Sequence, residues 1–599
     1  MGRGEQFARA AEEEVDQRAL KPHSSRRRAL IHALALATTG QIFPGAAPSQ
    51  AQVTPSQALQ QRLQEDQLRL RLIESEDSER DDDQPLIHAE PESQEPWPEA
   101  FVLRSLQIDT TLPSGTELEQ ALRNWLGRSI GADQLAAINA SIQAWFRRRD
   151  LLVATRFNLD SRADGDVRVR VAPLVLAGVD INPDIPHRLS DRRAIATVTA
   201  AVPLETVIRP GKLESALLKL NDLWGIRVRG RLLQGAQPDS RTLVLDVADS
   251  DRNGALLELD NYLNRYVGDL RLLATFSSAN NLGSGERVWL NPGWWGSGQG
   301  TGTAPLQLGI DWPLGTDGLL MSASANAGRY QLFNTGDVLY TGETAGVSLS
   351  LSQPLWRRDQ NSLWLRLSGE GVHFRDEINA VNLDDKQGVV ARASLIATST
   401  DSVFGQSFNT LVLGGSIGTI NLGGNSGFKQ FDQLSSRLQG TYGALNLNLI
   451  REQVFNSSWS ARWLLLGQWA FTNLSGYEQC GLGWPNGVRA YPPGENSSSS
   501  CLVSQLDLNL RLKPWLKLVG FADLGWGQRW LHPFPGSLQP NSYALAGAGF
   551  GLDLGRANHW LLSLRAAFPI GGNPAEGSFI DLEASDPTPR LWAGLQLWL

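Results

Sequence analysis

From Gly254 to the C-terminus, apolar and polar residues alternate along the chain. In QLDLNLRL (505–512) every second residue is a leucine, and in VSLSLSQ (347–353) valine and leucine alternate with serine. A period of two residues is that of a β-strand, whose successive side chains point to opposite faces. In a soluble β-sandwich the apolar face would pack in a core, and in an outer-membrane barrel it would meet lipid. Alternation alone does not separate these two folds.

Between residues 99 and 250 the pattern changes, and one order of elements occurs twice. Each unit, 99–174 and 175–250, has the pattern of a strand, two helices and two strands. In the second helix of the first unit, Leu135, Ile138 and Ile142 recur at helical spacing. The sequence therefore predicts two similar α+β domains. Sheet edges in such domains can bind an extended peptide by β-augmentation, although many edges are simply blunted and idle.

The N-terminal segment 1–51 has the pattern of an export signal. Three arginines at 26–28 form a basic region, and an apolar run follows over 29–37. Ser49 and Ala51 are small residues that suit a cleavage site. A short buried helix is the alternative, but the basic flank and the small-residue exit favour export.

The sequence predicts a polar helix over residues 52–76 and a linker over residues 77–98. Thr54 can cap the helix and Pro55 suits its first turn. Its apolar positions form only a thin stripe: Leu59, Leu63, Leu70 and Ile73. Such a helix suits a water-filled cavity, as a plug, although a solvated helix in a flexible tail gives the same periodicity. The linker is acidic and rich in proline, so it cannot bury enough apolar surface to fold alone.

Composition favours a barrel for the last part of the chain. The chain has 599 residues, of which 59 are Gly and 20 are Trp, with a net charge of −8. This charge argues against a nucleic-acid partner, and no run of apolar residues is long enough for a helical membrane span. At roughly 9–11 residues for each crossing, residues 251–599 can supply about 16 antiparallel strands. Closure into a barrel leaves no sheet edge exposed to lipid.

Motifs for catalysis or metal binding are absent from the sequence. The seven histidines form no HExxH pair, and two cysteines cannot build a zinc site. The glycine-rich GWWGSGQGTGTA (293–304) lacks the Gly-Lys-Ser/Thr of a phosphate-binding loop, so it is interpreted as a barrel turn with aromatics at its edge. We therefore expect no enzymatic activity, no cofactor and no metal.

Cys480 and Cys501, the only two cysteines of the chain, flank a loop rich in Gly, Pro, Asn and Ser. The export signal predicts an oxidising compartment, and no third thiol competes for pairing. A disulfide between them is therefore expected. The alternative is two free thiols that merely lie close together.

Three stretches resemble a known family. RPGKLESALLKLNDLWGIRVRGRLLQG (209–235) is similar to the second helix and the following strand of its second POTRA domain. LDNYLNRYVGDLRLLATFSSANNLGSGERVWL (259–290) resembles its first barrel hairpin, and the stretch 480–501 resembles its sixth loop. The family is the outer-membrane transporter of two-partner secretion systems, the haemolysin-activator and filamentous-haemagglutinin transporter family. The resemblance covers 54–599.

The resemblance implies a contact between a loop and the barrel wall. In that family the sixth loop, 480–501 here, folds into the lumen and carries a Val-Arg-Gly-Tyr/Phe motif. The matching residues are Val488, Arg489, Ala490 and Tyr491. Ala490 replaces the usual glycine, which would permit a positive φ that alanine resists. The family's arginine meets an aspartate in a Phe-x-Asp-x-Gly strand motif, and the matching residues are Phe521, Asp523 and Gly525.

Strand parity independently favours a lumenal position for Asp523. Asp523 shares a face with Val519 and Phe521, whereas Leu518 and Leu524 lie on the other face. A carboxylate in lipid is costly, so this face belongs in the lumen. A planar guanidinium is the best partner for such a carboxylate. The alternative is a solvated loop arginine and an aspartate that faces pore water.

The resemblance also implies a function. We expect a monomeric pore in the outer membrane of a Gram-negative-type bacterium, in contact with its lipid and with POTRA domains in the periplasm. It would recognise an unfolded, large, β-rich partner protein and translocate it to the cell surface without ATP. One alternative is a barrel-assembly factor, which usually carries more POTRA units and lacks the plug helix. A passive nutrient porin is a weaker alternative, because it would not need the repeated domains.

Overall fold

The structure is a computed structural model of the chain. It describes residues 87–89, 100–113, 115–158, 165–263, 268, 270–296, 302–333, 339–379, 381–423, 426–483, 487–537, 539–556, 558–576 and 589–599. The signal peptide predicted at 1–51 lies outside these ranges. So do the predicted plug helix at 52–76, with Leu59, Leu63, Leu70 and Ile73, and most of the linker at 77–98.

The first α+β domain follows the predicted order of elements. After a short linker strand, β1 (Ile87–Ala89), it comprises β2 (Phe101–Val102), β3 (Ser105–Thr110), α1 (Gly115–Leu122), a 3-10 turn (Arg123–Trp125), β4 (Ser129–Ile130), α2 (Ala132–Arg147), β5 (Val153–Asn158) and β6 (Asp166–Pro173). Its main sheet has the order β3-β6-β5. Ile138 and Ile142 of α2 are fully buried against Val169 of β6, as their helical spacing predicts.

The second domain repeats this architecture. It comprises β7 (Val175–Ile181), α3 (Asp191–Ala201), β8 (Thr206–Val207), α4 (Pro210–Asn221), β9 (Ile226–Gln234) and β10 (Ser240–Asp249). Its sheet has the order β1-β9-β10-β7-β8. Pro210 occupies the first turn of α4, where no intrahelical N–H bond is lost. No helix in the described ranges has the length and apolar content needed to cross a bilayer.

Strand β1 is an unexpected element, because the linker predicted at 77–98 is expected to have no regular structure. Ile87–Ala89 pairs in parallel with β9, and Ile87 lies opposite Gly230. The reason is that an existing sheet edge offers unpaired N–H and C=O groups. Three residues can therefore add to it, even though the acidic linker cannot fold alone.

The remaining strands form a closed antiparallel barrel. They are β11 (Asn253–Asp260), β12 (Leu270–Ala279), β13 (Arg287–Gly296), β14 (Gly302–Leu314), β15 (Leu319–Phe333), β16 (Leu339–Arg357), β17 (Asn361–Ile378), β18 (Val381–Asp401), β19 (Gln406–Asn421), β20 (Gly440–Val454), β21 (Trp459–Ala470), β22 (Ser500–Lys513), β23 (Leu516–Gln528), β24 (Ser542–Arg556), β25 (Trp560–Pro569) and β26 (Arg590–Trp598). Strand β26 pairs with β11 and closes the barrel. A closed barrel of sixteen strands confirms the predicted fold.

The alternating pattern sorts side chains between the outer surface and the lumen. Leu506 and Leu508 of β22 are about half exposed on the outer surface, whereas Gln505 on the opposite face is buried. On β16, Val347 is exposed and Ser350 is buried. The leucines therefore face lipid and the polar side chains face the lumen, which is the barrel interpretation of the alternation.

The second α+β domain packs against the turns at one end of the barrel. Arg357, at the end of β16, donates two hydrogen bonds to Asp222, from Nε at 3.0 Å and from Nη2 at 2.9 Å. Arg193 of α3 donates to the carbonyl oxygens of Pro313 and Gly315. Ser190 donates its N–H to the carbonyl of Gly283 at 3.0 Å. These contacts join the domain to three successive turns, all within β12 to β17.

Candidate functional site

The loop between β21 and β22, residues 471–499, folds into the barrel and is called here the lumenal loop. It begins earlier than the predicted 480–501, directly after Ala470. It ends slightly earlier as well, because β22 begins at Ser500 and includes Cys501. Apart from residues 484–486, which the structure does not describe, nearly every residue from Asn473 onward is buried. Gly, Pro and Ser residues suit this position because they pack closely and turn sharply.

Arg489 of the lumenal loop and Asp523 of β23 are in direct contact. The guanidinium donates from Nε to Oδ2 at 2.9 Å and from Nη2 to Oδ1 at 2.6 Å. The backbone N–H of Arg489 donates to Oδ2 at 2.9 Å. The side chains of Arg489 and Asp523 are 3% and 0% exposed. This is a forked, charge-assisted contact in a site that excludes most water.

The surroundings of Arg489 include the predicted Phe521 and two residues that sequence reasoning missed, Asp507 and Trp592. Its Nη2 lies 2.6 Å from Oδ1 of Asp507 on β22. Its guanidinium stacks 3.9 Å from the ring centre of Phe521, a cation–π contact. Trp592 of β26 donates from Nε1 to the Arg489 carbonyl at 2.8 Å. Asp507 could have been found, because it lies on the polar face of a strand adjacent to Asp523.

The other motif residues pack the loop closely against the barrel wall. A Cβ placed on Gly525 would lie 3.1 Å from Cγ2 of Val488, and one on Gly547 would lie 2.8 Å from Cβ of Ala490. Glycines on the wall therefore make room for the motif. Ala490 is not among the described residues with a left-handed backbone, so alanine fits here. Tyr491 donates its N–H to the Val488 carbonyl at 3.0 Å, which closes a turn.

Cys480 and Cys501 form a disulfide with a Cα–Cα distance of 6.4 Å. Cys480 also exchanges two backbone hydrogen bonds with Ser498, at 2.8 and 2.7 Å. The disulfide therefore ties the lumenal loop to the start of strand β22.

We expect the double variant Cys480→Ser/Cys501→Ser to lower the free energy of unfolding by about 3 kcal/mol, because the closed loop restricts the unfolded chain. Urea unfolding followed by tryptophan fluorescence measures this change. Wild-type protein treated with a reductant should match the double variant. Quantitative labelling of both thiols in the unreduced mature protein would contradict the disulfide.

A different part of the lumen wall is lined by polar side chains. These buried groups each have a polar atom with no hydrogen-bond partner among the described residues: Thr275, Asn291, Gln307, Ser322, Asn326, Ser352, Thr410, Ser416 and Asn448. They lie on strands between β12 and β20 and share the lumen-facing parity. Within the described ranges, no three His, Cys, Asp or Glu side chains are grouped to hold a metal ion.

A sequence profile of the family described as haemolysin secretion/activation protein ShlB/FhaC/HecB matches residues 239–554, more than half of the chain. The chain belongs to this family. The heme/hemopexin transporter protein HuxB of Haemophilus influenzae is 25% identical over 471 residues, which cover 76% of this chain and 81% of HuxB.

Two solved structures share the fold of this family member. CdiB from Escherichia coli has a TM-score of 0.64 and 17% identity, and covers 92% of this chain and 100% of its own. CdiB from Acinetobacter baumannii has a TM-score of 0.58 and 12% identity, with 87% and 92% covered. Both likenesses extend beyond the barrel to the POTRA-like domains.

Family membership confirms the predicted class and location. The chain is an outer-membrane transporter of two-partner secretion, with its barrel in the outer membrane and its POTRA-like domains in the periplasm. It provides a pore that exports a partner protein. The assembly-factor and porin alternatives are not better supported.

Proposed function

We propose that the transporter exports a large β-rich partner that arrives unfolded in the periplasm, binds the POTRA-like domains and crosses a monomeric pore without ATP. The observation that carries this proposal is the lumenal loop, which Arg489 and Asp523 hold inside a closed barrel joined to two small sheets. A closed barrel of sixteen strands encloses a channel, and the lumenal loop narrows it.

The two sheets differ in what their edges offer the partner. In the second domain, β1 covers the edge of β9. In the first domain, the order β3-β6-β5 makes β3 and β5 the outer strands. An extended segment adds most easily to such outer strands. In this proposal the partner adds to the first domain, while β1 covers one edge of the second.

A photo-reactive residue at position 107 of β3 or position 156 of β5 is expected to cross-link an export-arrested partner. Gln107 and Arg156 are exposed on the outer strands. Position 133, exposed at the start of α2, is the matched control and should capture much less. Mass spectrometry of the cross-linked band identifies the partner. Equal capture at position 133 would argue against strand addition.

Export itself is tested by co-expressing the transporter with a large exported protein encoded beside it. The partner should reach the medium or the cell surface only when the transporter is present. Purified transporter in proteoliposomes should move the unfolded partner without ATP. Export that requires ATP in this system would overturn the proposed mechanism.

The direction of β1 supports a plug formed by residues 52–76. Because β1 runs parallel to β9, it enters from the end of β9 that begins at Ile226. Gly225, just before this end, adjoins Ala279 of the barrel: a Cβ on Gly225 would lie 3.3 Å from the Ala279 Cβ. The chain upstream of Ile87 thus starts from the barrel side of the domain. The ten residues 77–86 can span up to about 33 Å.

A further inference from the structure

A second cluster of buried charges holds the lumenal loop on another part of the wall. Arg392 of β18 donates from Nη1 to Oε2 of Glu370 on β17 at 2.8 Å. Its Nη2 donates to Oε1 of Glu478, a residue of the lumenal loop, at 2.5 Å. All three side chains are less than 10% exposed. The guanidinium therefore joins one carboxylate of the wall to one carboxylate of the loop.

Two aromatic residues complete this contact. Tyr442 of β20 donates its hydroxyl to Oε1 of Glu478 at 3.1 Å. Tyr477 packs against Phe374 of β17, with ring centres 5.4 Å apart. Strand β18 lies five strands from β23 around the barrel. Two ion-pair clusters thus hold the lumenal loop, one through Glu478 on one part of the wall and one through Arg489 on another.

Residues 471–479, called here the side segment, lie between two fixed points. On one side β21 ends at Ala470. On the other side the disulfide at Cys480 joins the chain to β22. Only nine residues lie between these points, and Glu478 is the one charged side chain among them. A movement of the side segment therefore need not disturb the part of the loop that carries Arg489.

The two anchors differ in what the wall retains when the loop leaves. Withdrawal of Arg489 leaves two carboxylates, Asp507 and Asp523, without their shared cation. Withdrawal of Glu478 leaves the ion pair of Arg392 with Glu370, which is complete within the wall. An uncompensated buried charge is far costlier than a buried pair. Release at Glu478 is therefore the easier of the two.

We propose that the side segment is a releasable flap of the pore. It detaches from Arg392 when the partner enters, and it widens the lumen beside β17, β18 and β20. The part of the loop around Arg489 stays fixed and acts as the pivot. This proposal rests on the proposed function for what drives the release, namely the entering polypeptide, but the latch itself belongs to the transporter alone.

Glu478→Gln tests the flap by hydrogen–deuterium exchange on the full transporter in detergent. We expect faster exchange of the side-segment amides and unchanged exchange at 488–491. In planar bilayers the same variant should shift single-channel conductance to higher values. Glu452→Gln is the matched control, because Glu452 is a lumen-facing carboxylate whose contact with Arg462 is long, at 3.8 Å, and solvated. It should leave both measurements unchanged.

Tyr442→Phe is the second variant, because it removes only the hydroxyl that donates to Glu478. It should shift side-segment exchange in the same direction by a smaller amount, and it carries the test if Glu478→Gln does not reach the membrane. Unchanged side-segment exchange, or equal acceleration at 488–491, would overturn the flap. These measurements contain no partner, so a normal exchange response with no export would contradict the exporter function and leave the flap standing.

Discussion

Replacing Arg489 with alanine is expected to stop most export of the partner while the barrel still reaches the outer membrane. The change leaves Asp507 and Asp523 on neighbouring strands of the wall without their shared cation, and Asp523 is fully buried. The local cost is on the order of 3–5 kcal/mol, as for other buried pairs that lose one partner. The β-barrel hydrogen bonds are untouched, so insertion should persist. Partner protein in the medium measures export, and heat-modifiable mobility in gels measures barrel folding.

Arg451→Ala is the matched control for this variant. Arg451 also pairs with a barrel carboxylate, Asp401, but both side chains are about one-third exposed. Such a pair contributes little, so export should stay near wild type. Arg489→Lys should recover only part of the export, because an ammonium keeps the charge and loses the forked contact. Wild-type export by Arg489→Ala would remove the proposed role of this residue.

Deleting residues 52–74 is expected to raise single-channel conductance strongly and to leave export largely intact. The predicted helix is polar and balanced in charge, and the lumen wall from β12 to β20 carries polar atoms that such a helix can satisfy. Recordings in planar bilayers compare the deletion with the full mature chain.

Replacing residues 77–86 with a Gly/Ser segment of equal length provides the control for this deletion. The helix and the reach of its tether are kept, so the closed state should be retained. If the deletion and the full chain give the same conductance, the prediction that this helix plugs the pore is wrong. Lost export in the deletion would indicate that the helix also serves the partner.

Strand periodicity and short motifs predicted the barrel and the contact of Arg489 with Asp523. The position of Asp523 follows from its parity with Val519 and Phe521, which is a local property of one strand. The position of the loop inside the barrel follows from a four-residue motif. Both signals lie within short stretches of sequence, so one chain suffices to find them.

Contacts between distant parts of the chain were not predictable in this way. Glu478 and Arg392 are 86 residues apart, and Trp592 is 103 residues from Arg489. Such pairs depend on the stagger of sixteen strands and on barrel closure, which alternation does not specify. Strand β1 was missed for a related reason, since its three residues gain their conformation from the edge of β9 and not from their own propensity.

The second POTRA-like domain joins the barrel on one side of its periplasmic rim. Its contacts, including the Asp222–Arg357 pair, fall on the turns between β12 and β17, which form one side of the rim. None of the contacts described above falls on the turns between β18 and β25. Phe404 and Trp515 lie in two of these turns, with 84% and 55% of their surface exposed. A polypeptide arriving from the periplasm would thus meet the side of the rim that carries none of these contacts.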